Sequence, residues 1–312
     1  MISGCLAVIG GVLAARERAP LLHARAAESG GWNPDVLTAQ AGQPMQLRLT
    51  SDDVMHGFGV GGMEMGEVDI QPGRVTEVTL TFDRPGTYTF YCTRWCGINH
   101  WRMRGTIEVG GPDEDSVTSG PPLYVQLGLD LDAPHPAEVM PAARPSAPNG
   151  RQLAGGLDIS PFMDTGYYRA HSPARTFLDL AGGPSLSEAE RWDLVAFVWS
   201  LNTTPERISN GARLYARNCA ACHGEAGGGD GVFADDLSVA GGDPGEAMTL
   251  QAPARLSDPR RMLGASPALL QGKILRGGMG TGMPMWGVIF TEEETWDLVA
   301  YLYSLQFTTA TP

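Results

Sequence analysis

The chain has 312 residues, 43% of them hydrophobic and 18% charged, with a formal charge of −13. That composition excludes a disordered chain, and the length sets the expectation at two or three domains. The acidic balance excludes a nucleic-acid binder, which needs a basic face; it fits a surface that would attract a basic partner protein.

At the N-terminus, Ile2 to Ala15 is an apolar run followed by Arg16 and Arg18. Fourteen residues fall short of the roughly 20 that span a bilayer. A signal peptide would carry its positive charge before the apolar run, not after it. Residues 1–18 therefore read as the outer part of a membrane anchor that begins before this sequence. A signal remnant and a lipid site at Cys5 are the alternatives.

The next stretch, residues 30–111, is β in pattern. Met45 to Thr50, Val75 to Phe82, Thr87 to Tyr91 and Thr106 to Val109 alternate or are rich in strand formers. Gln43-Pro44, Gln71-Pro72-Gly73 and Arg84-Pro85-Gly86 supply the turns between them. Short strands with regular turns predict a β-sandwich. Residues 112–156 are rich in Pro, Gly and Ala and read as a linker.

From about Pro161 the pattern is helical. It contains an internal repeat: Leu186 to Leu201 matches Phe290 to Leu305 at a constant offset, with Trp192 aligned on Trp296. Each copy opens on Ser or Thr with Glu soon after, a helix-start signal. Two copies of one small domain are expected, and only the second holds a cysteine motif.

Four of the five cysteines fall in two close pairs, which read as metal or cofactor ligation before a disulfide framework. The first pair belongs to Cys92-Thr93-Arg94-Trp95-Cys96-Gly97-Ile98-Asn99-His100-Trp101-Arg102-Met103, with His56 upstream after a predicted strand. Thiolates, imidazole and a weak thioether suit copper. A second thiolate at i+4 would let two copper ions be bridged, each keeping one His. A disulfide or a zinc site are the competing readings, and Met is a poor zinc ligand. The second pair is Cys219-Ala220-Ala221-Cys222-His223, the attachment motif for a c-type heme. Gly282-Met283-Pro284 offers a thioether on the far side of such a heme, with Met279 and Met285 as rivals.

Residues 45–109 resemble the CuA cupredoxin domain of subunit II of heme–copper oxidases, closer to the B-type form. The resemblance implies Cys92 and Cys96 as bridges between two coppers and His56 and His100 as terminal ligands. It also implies Met103 and the carbonyl of Arg94 as axial ligands. Many A-type subunits carry a magnesium-holding Glu where Arg94 stands, so no magnesium site is expected. Residues 206–307 resemble class I cytochrome c, which implies heme c bound covalently through Cys219 and Cys222, with His223 and Met283 as axial ligands.

The expected fold class is an all-β cupredoxin, a Greek-key sandwich, followed by an all-α cytochrome c domain over 206–312. A degenerate heme-free cytochrome-like segment over 157–205 lies between them. The implied function is that of an electron-transfer subunit of a respiratory terminal oxidase at the periplasmic face of the membrane. It would take electrons from a cytochrome c or bc-type complex and pass them to a catalytic subunit I. Fusion of donor and acceptor on a short linker raises their local concentration to roughly millimolar. A CuA-type nitric oxide reductase subunit and a free-standing periplasmic carrier are the alternatives. No nucleophile–His–acid set for hydrolysis is present.

Overall fold

The computed structural model describes residues 19–97, 99–112, 120–180, 186–235, 252–278 and 282–308, so the N-terminal apolar run and Met279 lie outside the described residues. The chain divides into two compact units, Met1–Thr118 and Ser119–Pro312. No described helix is long and apolar enough to cross a membrane.

The first unit is all β. Its strands are β1 (Leu21–Ala24), β2 (Trp32–Asn33), β3 (Val36–Gln40), β4 (Pro44–Ser51), β5 (His56–Val60), β6 (Val68–Ile70), β7 (Thr76–Thr81), β8 (Gly86–Tyr91) and β9 (Arg104–Gly110). They form two sheets, ordered β2-β1-β4-β7 and β3-β9-β8-β5-β6, in the cupredoxin-type arrangement expected. Strands β4, β7, β8 and β9 cover the runs read from alternation. β5 escaped that reading because all five of its residues are buried, which removes the period-two signal. Trp32 packs edge-on against Phe58 and Phe90, with ring centroids 6.0 and 5.5 Å away. Burial of each such side chain contributes roughly 1.5–3 kcal/mol, and Cys92 and Met103 sit in the same core.

The second unit is helical: α1 (Leu123–Gln126), α2 (Ala147–Ala154), α3 (Thr165–Ala170), α4 (Pro173–Asp179), α5 (Glu188–Leu201), α6 (Pro205–Asn218), α7 (Ala220–His223), α8 (Pro259–Met262), α9 (Pro267–Arg276) and α10 (Glu292–Ser304). The repeated segments are α5 and α10, and both begin with a complete capping box, Ser187 with Glu190 and Thr291 with Glu294. Each box stabilises its helix start by about 1 kcal/mol.

The repeat has a second half that the sequence pattern concealed. Helix α6 crosses α10 with Gly211 against the Asp297 carbonyl and the Tyr301 Cβ; helix α2 crosses α5 with Gly150 against the Asp193 carbonyl and the Phe197 Cβ. Asn210 bonds Asp297 across one crossing, and Asn149 bonds Asp193 across the other. The same Asn-Gly pair thus makes the same contact twice. α2 falls in the stretch read as linker: Ser146 caps it, and its buried Ala147 and Gly150 are small residues whose composition mimics a loop.

Alanine favours a helix over glycine by about 1 kcal/mol, but a Cβ at either crossing would strike a backbone carbonyl. Gly211→Ala and Gly150→Ala should therefore each destabilise the chain by about 1–3 kcal/mol. Gly156→Ala, with nothing within 4 Å of the new methyl, should stay within about 0.5 kcal/mol. Chemical denaturation of the three variants checks this.

Candidate functional site

In the β unit, the segment from Cys92 to Met103 leaves β8 and returns at β9. The pairing of Tyr91 with Arg104 ends the ladder at its base, and the Cys92 N–H donates to the Met103 carbonyl at 3.1 Å to close it. Gly57 and Gly59 of β5 let this loop lie directly on the strand: a Cβ on Gly57 would fall onto Thr93 Oγ1, and one on Gly59 would sit 2.8 Å from Thr93 Cγ2. The Gly57 N–H points at Cys92 Sγ, 3.5 Å away.

The donor atoms named from the sequence converge. Cys92 Sγ lies 3.9 Å from Cys96 Sγ, 3.8 Å from His56 Nδ1 and 3.2 Å from the Arg94 carbonyl. Cys96 Sγ lies 3.6 Å from His100 Nδ1 and 3.3 Å from Met103 Sδ. Both thiols are free, so the disulfide alternative is absent from this geometry. Metal–sulfur bonds run near 2.3 Å and metal–imidazole bonds near 2.0 Å, so donors at these separations can share metal ions with little movement. His56 and His100 are 0% and 4% exposed, and Met103 is 1% exposed. The set is nearly dry.

Two carboxylates that the sequence reading overlooked steady the donors. Asp53 Oδ1 holds His56 Nε2 at 2.7 Å, which aims Nδ1 at the sulfurs. Burial works against the Asp53 charge, yet bonds from the Ala26 N–H, His56 and the Val54 N–H keep its pKa below the ordinary carboxylate value. Asp69 grips the Arg94 guanidinium through both oxygens, at 2.5 and 2.8 Å. Both partners are about 40% exposed, where such a pair contributes roughly 0–1 kcal/mol. Its consequence is orientation of the Arg94 backbone rather than stability. Trp95 covers the ring of His100 at 4.6 Å. Met63 and Met65 pack against the core.

The thiols are electrostatically unequal. The hydrogen bond with Cys96 pulls the Cys92 pKa down to about 2 against the opposing effect of burial, with His100 and His56 assisting. That hydrogen bond to Cys92, followed by burial, drives Cys96 far upward. One proton is shared between two sulfurs.

In the helical unit, α6 delivers Cys219 to a cavity of about 670 Å³ whose lining includes Cys219, Cys222, His223, Met283 and Trp286. This volume falls in the range of cofactor pockets. His223 Nδ1 contacts the Ala254 carbonyl at 2.9 Å, leaving Nε2 as the ring's remaining metal-binding nitrogen. Burial holds its pKa below the ordinary value, as a neutral ligand requires. Burial also pushes the Cys219 and Cys222 thiols up, to about 12 and about 11. The Met-Pro loop folds back on the end of α9: the Gly278 N–H donates to the Met283 carbonyl and the Trp286 N–H to the Ile274 carbonyl, both at 3.1 Å. Met283 lines the cavity, whereas Met285 is 49% exposed and does not. An apolar chamber with two thiols, a neutral imidazole and a thioether fits a heme.

A double-layered β unit with a sulfur-rich loop cluster, followed by a helical unit with a C-x-x-C-H cavity, defines a two-centre redox protein. The comparisons agree. Residues 33–109 match the family model of the cytochrome c oxidase subunit II periplasmic domain, and residues 208–306 match that of cytochrome c. The chain is thus a fusion of these two domain types. It is 40% identical over 79 residues to cytochrome c oxidase subunit 2 of Thermus thermophilus. The match covers 25% of this chain and 58% of that relative, and 46% of the corresponding protein from a second record of the same species. The chain thus spans about half the length of these curated relatives. Among solved structures, a chain of a heme–copper terminal oxidase dimer is 28% identical, over 29% of this chain and 63% of that one, with a TM-score of 0.26. The periplasmic domain of subunit II of cytochrome oxidase from Bradyrhizobium japonicum is 24% identical, over 24% of this chain and 54% of that one, with a TM-score of 0.22.

Copper added to the heme-free protein should shield Cys92 and Cys96 from alkylation while Cys219 and Cys222 stay reactive. Peptide-level mass spectrometry reads this directly. Equal labelling of all four with and without copper would count against a metal centre in the β unit.

Proposed function

We propose that this chain is the electron-transfer subunit II of a respiratory terminal oxidase, carrying a binuclear copper centre and a covalent heme c. The observation that supports it best is the convergence of Cys92, Cys96, His56, His100, Met103 and the Arg94 carbonyl in one buried cluster. Two thiolates and two histidines suit a pair of coppers, each with its own imidazole. Met103 and the Arg94 carbonyl sit where weak axial contacts would lie. In the helical unit, Cys219 and Cys222 anchor the heme, and His223 and Met283 take its two axial positions.

Bound copper and heme supply one-electron redox chemistry; the protein holds their ligands still. The glycine contacts under the loop, the Asp53–His56 bond and the Asp69–Arg94 fork fix the donors before metal arrives. Burial keeps water from reorganising around the charge. Electrons would come from a cytochrome c or a bc-type complex and leave for a catalytic heme–copper subunit I. Such a subunit would lie at the periplasmic face, anchored by a segment that includes the N-terminal apolar run. Residues 146–204, with the α2–α5 crossing, are a heme-free copy of the cytochrome helix pair in this reading.

Metal analysis with EPR on the oxidised, heme-matured protein tests the assignment. The expected result is two coppers and one iron per chain, with hyperfine structure from one electron shared by two equivalent copper nuclei. One copper, or zinc in its place, would sink the oxidase-subunit reading. Met283→His should keep the heme bound and lower its midpoint potential, because methionine ligation raises the potential relative to bis-histidine. A potentiometric titration checks the direction.

A further inference from the structure

Residues 123–137 lie upstream of the stretch that matches cytochrome c, yet they form part of the heme cavity's wall. Leu131, Asp132, Ala133, Pro134, His135 and Pro136 all line it. This strap is fastened at four points. Tyr124 and the 3%-exposed Leu131 press on Gly272 of α9, where a Cβ would come within 2.9 Å of both. Asp132 accepts two bonds from Arg276, at 2.8 and 2.5 Å. The Ala137 N–H donates to the Arg260 carbonyl at 2.7 Å. Gly264 leaves room for the His135 carbonyl, on which a Cβ would fall. Two glycines of the cytochrome domain thus lack side chains where the strap passes.

The strap also brings His135 into a group of cations. His135, Arg261 and Lys273 share the cavity lining, and neither Arg261 nor Lys273 forms an ion pair with a described residue. Asp132, which also lines the cavity, is taken by Arg276. Burial lowers the Lys273 pKa, with Arg261 adding to the effect. Burial likewise lowers that of His135, against a bond to the Ala133 carbonyl, and both cations add to it. Positive charge gathered at the wall of an apolar chamber without a counter-charge is complementary to an anion.

We propose that the strap is a built part of the heme site, and that His135, Arg261 and Lys273 form a carboxylate subsite that receives an acidic side arm of the heme. This rests on the heme reading above. The subsite gives the buried side arm its counter-charges. It also makes the functional cytochrome module begin near Leu123, well before the matched domain.

The test uses the full chain matured with heme that is 13C-labelled at its carboxylates, and reads reduced-minus-oxidised infrared spectra. The labelled carboxylate bands should shift in Lys273→Gln and in His135→Leu relative to wild type, and stay in place in Arg175→Gln, a surface control outside the cavity. In parallel, hydrogen exchange at 131–137 should be slower in the heme-loaded chain than in the heme-free one. Labelled bands unchanged in both variants, with heme attached at one per chain, would overturn the subsite. Equal exchange with and without heme would overturn the strap's role. A chain in which mass spectrometry finds no thioether-bound heme would instead sink the heme reading, and the proposal with it.

Discussion

The copper-type site depends on one backbone hydrogen bond, from the Cys92 N–H to the Met103 carbonyl. It closes a loop that carries every donor except His56, at the open end of the β8–β9 ladder. Without that closure, the entropy of a twelve-residue loop would work against convergence of five donor groups. With it, the loop becomes an extension of the sheet, and its position relative to β5 is decided by two glycines. The last donor, His56, then needs only to start β5 in register with Ile70 and to be turned by Asp53. Rigidity of this kind is what a one-electron site asks of its protein, since any ligand movement between redox states adds to the barrier.

The helical unit solves the same problem by different means. There, the heme ligands sit at the ends of helices rather than in one loop. His223 ends a single turn, α7, and is pinned to Ala254, while Met283 is carried by a loop folded onto the end of α9. Convergence therefore depends on packing between elements distant in sequence, above all the Gly211 crossing of α6 and α10. A close crossing tolerates no side chain at its centre, and this makes the glycine as consequential as any ligand.

Legibility in the sequence followed the range of the interactions. The donors from Cys92 to Met103, the C-x-x-C-H motif and the capping boxes were readable because each is encoded within a few residues. β5 was not readable as a strand, since a strand buried throughout has no alternation. Asp53 and Asp69 were unreadable as supports, since an acidic residue in a loop or strand gives no hint of which base it will meet. The strap was masked by composition: Pro, Ala and Gly signal a linker, and its partner Arg276 lies 144 residues away from Asp132. The repeat was half readable. Its second helices aligned at a fixed offset, but Gly150 lies 43 residues before Asp193 (193 − 150), whereas Gly211 lies 86 before Asp297 (297 − 211). Half the intervening chain is missing from the first copy, including any place for a heme motif, so a constant step could not find its first helix.

That shortened copy is retained for a physical reason visible at the contact between the repeats. Trp199 of α5 packs edge-on against Tyr303 of α10, with ring centroids 5.9 Å apart, and these two residues occupy equivalent positions in the repeat. Contact between a residue and its own counterpart is the signature of a two-fold arrangement, as in isologous dimers. Tyr168 and Phe307 close around the same tryptophan. A helix pair that covers a partner through such an interface cannot be deleted without exposing a large apolar surface on α10. It needs no heme to do so. Loss of the heme-bearing stretch with retention of the helix crossing is what results when one copy is kept only for the face it presents.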